Sequence, residues 1–167
     1  MIFRQLFDSV SGTYSYLLAS RGGGEALIID PVLEKVERYL QLIRELDLKL
    51  VKAVDTHLHA DHITGLGALR DRTHCITVMG ERTKADVVSM RVADGDKVTI
   101  EGISLDVMYT PGHTSACISL FDQDKGLLFA ADTLMPGGVM GGVFGSGSIS
   151  DYIQSLERLK GLNSKIL

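Results

Sequence analysis

Residues 57–62 read His57-Leu58-His59-Ala60-Asp61-His62. Three imidazoles and a carboxylate crowd into this run, in a chain that holds 5 histidines in all. Solvated loop histidines do not require that density. Imidazole is the commonest metal-binding side chain, and carboxylate oxygen suits the same borderline ions. The run therefore reads as a metal site.

Just upstream, residues 48–54 form an apolar run too short for a helix, which predicts a buried strand ending close to His57. Further back, Asp30-Pro31 opens a helix on which Leu33, Val36, Leu40, Ile43 and Leu46 recur at helical spacing. Residues 14–18 and Glu25–Ile29 flank Gly22-Gly23-Gly24, a hairpin signal. Downstream, residues 76–79 predict another buried strand. Lys97–Ile100 and Ile103–Tyr109 form a hairpin around Glu101-Gly102, and its second strand runs into Thr110-Pro111-Gly112-His113-Thr114. Residues 118–121 and 127–131 pair around Lys125-Gly126, and the latter strand ends at Asp132.

Three predicted strands thus end in potential ligands: His57, His113 and Asp132. In layered α/β folds the crevice beyond the strand ends is where ligands bind. Taken alone, His113 reads equally well as a turn histidine and Asp132 as a cap before Pro136. Beside the His57 run, the three support one another.

Residues 135–148 are glycine-rich, with Gly137, Gly138, Gly141, Gly142, Gly145 and Gly147. Such a stretch is a mobile loop or a close backbone approach. It lacks the GxxxxGK[ST] pattern of a phosphate loop. Asp151 then begins a helix with Gln154 at capping-box spacing, an apolar face of Ile153, Leu156 and Leu159, and Gly161 as its stop. Lys165-Ile166-Leu167 starts a new apolar run that reads as a strand.

At 167 residues the chain predicts one domain with a substantial core. A net charge of −4 without a basic run argues against nucleic-acid binding. No apolar stretch approaches membrane-spanning length, and the first ten residues lack the apolar segment of a signal peptide. Cys75 and Cys117 stand far apart without CxxC spacing, so free thiols in a cytoplasmic chain are expected.

His57 and His59 are two apart, so in an extended segment they point the same way. With His113 they make a three-imidazole site suited to Zn²⁺ or Fe²⁺. Asp61 and His62 follow, facing a second position, and Asp132 is placed to bridge both. Two cations about 3.5–4 Å apart clamp a reacting oxygen. A single metal on two His and one carboxylate, as in non-haem iron oxygenases, uses the same residue types. Both leave room for substrate, which favours catalysis over a closed structural zinc.

The HxHxDH run, a Gly-His-Thr after a strand and an Asp after an apolar strand resemble the metallo-β-lactamase superfamily. The resemblance implies an α/β (α+β) fold, an αββα sandwich with metals at the sheet edge. Residues 1–114 are similar to persulfide dioxygenases over MIFRQLFD, TYSYLLA, ALIIDPV, AVDTHLHADHITGLGALR, VMGE, MRVADGD and YTPGHT. That implies one Fe(II) on His57, His113 and Asp132, with glutathione persulfide as the small-molecule substrate. His59, Asp61 and His62 then orient ligands and substrate. Asp61 and His62 are also the candidate catalytic pair.

After Thr114 the resemblance changes. Ala131-Asp132-Thr133-Leu134 is kept, but no Arg-rich segment follows, and residues 115–162 look more like hydrolytic members with one or two Zn(II). The final strand, helix and motif His of those relatives are not seen before Leu167. Two readings fit, a chimera of two family members and a fragment. On either, an uncovered sheet edge predicts a homo-oligomer, domain-swapped across residues 137–147. Three functions follow: an iron persulfide dioxygenase, a dinuclear zinc hydrolase of thioesters, lactones or phosphoesters, and a non-catalytic metal-binding scaffold.

Overall fold

The computed structural model describes residues 1–85, 88–135, 141–162 and 165–166. One sheet holds β1 (Ile2–Asp8), β2 (Thr13–Ala19), β3 (Glu25–Ile29), β4 (Lys49–Val54), β5 (Ile76–Gly80) and β6 (Met90–Val92), in that spatial order. The second holds β7 (Lys97–Ile100), β8 (Ile103–Tyr109), β9 (Ile118–Asp122), β10 (Leu127–Phe129) and β11 (Lys165–Ile166), in the spatial order β11-β10-β9-β8-β7. In the first sheet β1–β2–β3 are antiparallel, and β3 to β6 run parallel. The helices are α1 (Val36–Glu45), α2 (Leu66–Thr73) and α3 (Ile149–Lys160).

The side-chain sorting explains the layers. Successive residues on a strand point to opposite faces. On β2, Tyr16 and Leu18 join Leu105, Leu120 and Phe129 of the second sheet in a core between the sheets. Leu17 and Ala19 face the other way, onto Tyr39, Leu40 and Ile43 of α1 and Leu69 of α2. The second sheet turns Met108, Phe121 and Leu128 outward onto Leu159 of α3. The result is the expected sandwich of two sheets with helices on both outer faces. It also explains why β3 reads as an apolar run after Glu25: a strand covered on both faces has no polar side to show. Each fully buried Leu or Ile in these layers contributes roughly 1.5–3 kcal/mol.

Several expectations need correction. The first helix does not open at Asp30-Pro31. Asp30 takes φ +49 and Val32 bridges Thr64, so the chain turns once as 3₁₀ over Leu33–Lys35 before α1 begins. Leu33 is consequently exposed rather than part of the apolar face. The cap of α3 is Ser148, whose hydroxyl accepts from Asp151 N, and not Asp151. Its buried face is Tyr152, Ser155 and Leu159, while Ile153 stays 57% exposed. Tyr152 wins because its hydroxyl finds partners inside, donating to Asp132 O and accepting from Gly141 N. β10 ends at Phe129, and Asp132 sits in a 3₁₀ turn, Ala131–Thr133, that starts with φ +49 at Ala131. β1, α2 and β6 were not read from the sequence at all. Gly137 and Gly138 of the glycine-rich stretch, and Leu167 of the final run, lie outside the described residues. Cys75 and Cys117 are both free and buried. Among the described residues no helix is long and apolar enough to cross a membrane.

Candidate metal centre

The candidate ligands sit where strands end. β3 delivers Asp30, β4 delivers Asp55, Thr56 and His57, β8 leads to His113, and the turn after β10 carries Asp132. Backbone bonds lock these ends together: Asp30 N donates to Val54 O at 2.8 Å, Asp55 N to Val78 O at 3.0 Å, and Ile118 N to Thr56 O at 3.0 Å. The His run itself is not a strand, yet its alternation survives, with Leu58 exposed between buried His57 and inward-turned His59.

Among the described residues, three sets of ligand atoms each fall within 4.8 Å of one another: His57, His113 and Asp132; His59, Asp61 and His62; and Asp30, Asp55 and His59. Every residue expected at the site is therefore brought into it, although His59 groups with Asp61 and His62 rather than with His57 and His113. The His57 and His59 rings are still 4.1 Å apart, and those of His57 and His113 5.0 Å.

The hydrogen bonds decide which ring nitrogens are free. Thr56 Oγ1 donates to Asp30 and so accepts from His57 Nδ1, 3.0 Å away. His113 Nδ1 faces Gly142 O at 3.1 Å, an acceptor only. Each ring thus carries its proton on Nδ1, which leaves Nε2 as a lone pair. Both lone pairs meet the Asp132 carboxylate, at 3.8 Å from His57 and 3.2 Å from His113. Converging lone pairs repel unless a proton or a metal cation lies among them, and burial pushes the Asp132 carboxyl above its usual range, which a cation would offset. His57 Nε2 and His62 Nε2 are moreover buried without a partner among the described residues. Holding one imidazole nitrogen by an acceptor so that the other can ligate is the usual support of a metal site. The donor set fits a divalent cation.

Two carboxyls missed in the sequence complete the setting. Burial works against the charge of Asp30, but His59 and His57 outweigh it and hold Asp30 below the usual carboxylate range. Asp55, buried beside Asp30, is pushed up to about 7 by burial first and by that neighbour second. Burial and the His59 charge push His57 down to about 3. Burial pushes His59 the same way, but Asp30, 3.2 Å from its Nε2, reverses this and takes it up to about 9. Asp30 was legible by the rule already used for His57: it directly follows a predicted strand.

The glycine-rich stretch serves as a close backbone approach. A Cβ on Gly141 would lie 2.7 Å from Asp132 Cβ, and one on Gly147 2.4 Å from His113 O. Gly142 O and the Phe144 ring, 5.4 Å from the His113 ring, then close one side of His113. At the ligands is a cleft of about 390 Å³, lined by Asp61, His59 and Asp132 together with Tyr14, Phe129 and Phe144.

Residues 8–87 and 91–167 match the family model described as the metallo-beta-lactamase superfamily. The chain belongs to that superfamily. The crystal structure of ETHE1 from Myxococcus xanthus superposes with a TM-score of 0.89 at 43% identity, covering 95% of this chain and 69% of that one. Persulfide dioxygenase ETHE1, mitochondrial, of Mus musculus is 40% identical over 135 residues, 81% of this chain and 53% of its own length. A hydroxyacylglutathione hydrolase of Parasynechococcus marenigrum is 35% identical over 149 residues, 84% of this chain and 58% of its own. This chain spans about half the length of these curated relatives.

If the donor set gathers a cation, the cation must stabilise the fold by mass action. Zinc at about one hundred times its dissociation constant should add about 2.7 kcal/mol. For a chain of this size that raises the unfolding midpoint by roughly 5–11 °C. Thermal scans with zinc and with chelator check this. An unchanged midpoint would show that the lone pairs gather no cation.

Proposed function

We propose that this superfamily domain acts as a persulfide dioxygenase, oxidising a glutathione persulfide at one Fe(II) held by His57, His113 and Asp132. The observation that carries the reading is the set of lone pairs that His57 and His113 turn toward the Asp132 carboxylate. It is the two-histidine, one-carboxylate set of non-haem iron oxygenases. Identity of 40% to a persulfide dioxygenase supports the same choice. The reaction balances as one persulfide, one O₂ and one water giving thiol, sulfite and two protons.

A bound iron supplies the redox chemistry toward O₂. The remaining work falls to the chain. Thr56 and Gly142 O hold the two rings in one tautomer, and Tyr152 holds the Asp132 backbone. Tyr14, Phe129 and Phe144 give the cleft an apolar wall against which a carrier thiol can lie away from water. Asp61 lines the cleft with His62 Nδ1 3.1 Å from its carboxylate, a pair in position to orient the bound substrate.

A second reading is favoured by one specific observation. His59, Asp61 and His62 bring a further set of ligand atoms within 4.8 Å. That set suits a second cation and a dinuclear zinc hydrolase, and a hydroxyacylglutathione hydrolase is among the relatives. Elemental analysis of purified protein with an oxygen electrode separates the two. We expect about one iron per chain, with sulfite formed from glutathione persulfide only when O₂ is present. About two zinc ions with thioester hydrolysis indifferent to O₂ would overturn the dioxygenase reading. Bound metal without turnover of either substrate would leave a metal-binding scaffold.

A further inference from the structure

Thr13 belongs to none of the site's motifs, yet it reaches the centre from 48 residues before Asp61. It opens β2, directly after the β1–β2 turn, where Gly12 at φ +79 reverses the chain. Its Oγ1 lies 2.7 Å from Asp61 Oδ2 and 3.1 Å from His62 Nδ1. A hydroxyl has one proton to give and lone pairs to receive with. A carboxylate at neutral pH is an acceptor only. The Thr13 proton therefore goes to Asp61, and a Thr13 lone pair turns to His62.

His62 Nδ1 then faces two acceptors, Thr13 Oγ1 and Asp61 Oδ2, each at 3.1 Å. Its proton belongs on Nδ1, which leaves Nε2 as the lone pair. That Nε2 is buried and without a partner among the described residues, on a side chain only 2% exposed. Thr13 is itself fixed from behind. Ser11 Oγ donates its one proton to Thr13 Oγ1 at 2.9 Å, Ser11 N donates to Asp8 Oδ2 at 3.1 Å, and Lys35 Nζ lies 3.2 Å from Asp8 Oδ1.

We propose that Thr13 is the positioning residue for Asp61 and His62, its hydroxyl anchoring the carboxylate and fixing which His62 nitrogen is free. The role of that pair as ligands rests on the second, two-metal reading above. The His62 tautomer does not.

The test uses Thr13→Val, which removes the hydroxyl chemistry but keeps the β-branched shape a strand accepts, beside Thr13→Ser, which restores the hydroxyl. Long-range ¹H–¹⁵N correlation spectra of the metal-free proteins report the imidazole tautomers. Wild type and Thr13→Ser should show His62 protonated on Nδ1, and Thr13→Val a mixture of both tautomers. Competition titration with zinc should show the second equivalent weakened about 10- to 100-fold in Thr13→Val, with the first unchanged and serine restoring the second. Should valine disturb β2, Thr13→Ala gives the same comparison. A hydroxyl-free variant that folds and keeps the wild-type His62 signals overturns the proposal. If wild type takes up a single zinc, the two-metal reading fails, while the His62 signals still decide the role of Thr13.

Discussion

His113→Ala should weaken the tightest metal site by two to three orders of magnitude. Zinc sites of four ligands bind with roughly 10–16 kcal/mol, so each ligand carries roughly 3–4 kcal/mol, or about 10²- to 10³-fold. His113 cannot be replaced by movement of a neighbour. It is set by the turn after β8, its Nδ1 is engaged by Gly142 O, and its Nε2 lies 3.2 Å from Asp132. Truncation leaves the Asp132 carboxylate facing His57 alone. Metal content after dialysis and competition titration measure the loss. His74→Asn is the control, because His74 caps α2 in a left-handed conformation that asparagine also accepts, and it belongs to none of the ligand sets. His59→Ala sharpens the result. It should cost only about tenfold if one metal sits on His57, His113 and Asp132, as for a supporting residue. It should cost as much as His113→Ala if His59 is a ligand. Full metal retention in His113→Ala would overturn the assignment.

Gly112→Ala should destabilise the fold by about 3–5 kcal/mol and lower the midpoint by roughly 10 °C. Gly112 has φ +145, where side chains are strained. A Cβ there would stand 2.5 Å from Tyr152 Cα, so backbone and not merely a flexible side chain must retreat. The retreat would pull α3 from the sheet and take Tyr152 from Asp132 O and Ser148 N from Gly112 O, its acceptor at 3.0 Å. Metal affinity should fall along with stability, since His113 is the next residue. Gly67→Ala supplies the contrast: within α2, nothing lies within 4 Å of the added Cβ, and helix propensity alone predicts a gain of about 0.5–1 kcal/mol. A midpoint for Gly112→Ala within two degrees or so of wild type would show that α3 is free to shift and does not buttress the site.

Much of the fold was legible because strands leave one of two patterns, an apolar run where both faces are buried, as in β3, or alternation where one is, as in β7 and β8. β3, β7 and β8 were read to the residue, and β4, β5 and β9 to within one residue at an end. β1 escaped because it lies at a sheet edge, and its Arg4 and Gln5 break the apolar pattern. α2 escaped for a similar reason. Arg70, Asp71 and Arg72 dominate it, and only Leu66 and Leu69 are buried. The α3 face was misread because spacing alone gives several stripes on one helix. The stripe that faces inward was chosen by the Tyr152 and Ser155 hydroxyls, which bond Asp132 O and Pro111 O.

At the site, the sequence by itself offered six candidate donors, four imidazoles and the Asp61 and Asp132 carboxylates, each after a strand or in the run that follows one, but not Asp30 and Asp55. Residue type and position along a strand are local properties, and they survive without coordinates. What only the tertiary structure decided is how the donors are partitioned. His57 is grouped with His113 and Asp132, and His59 with Asp61 and His62, because the end of β4 meets the end of β8 across two sheets. Which ring nitrogens are free was likewise beyond the sequence. It depends on Thr56, Gly142 O, Asp30 and Thr13, which come from four separate segments and mark themselves as partners only when the chain has brought them within hydrogen-bond reach.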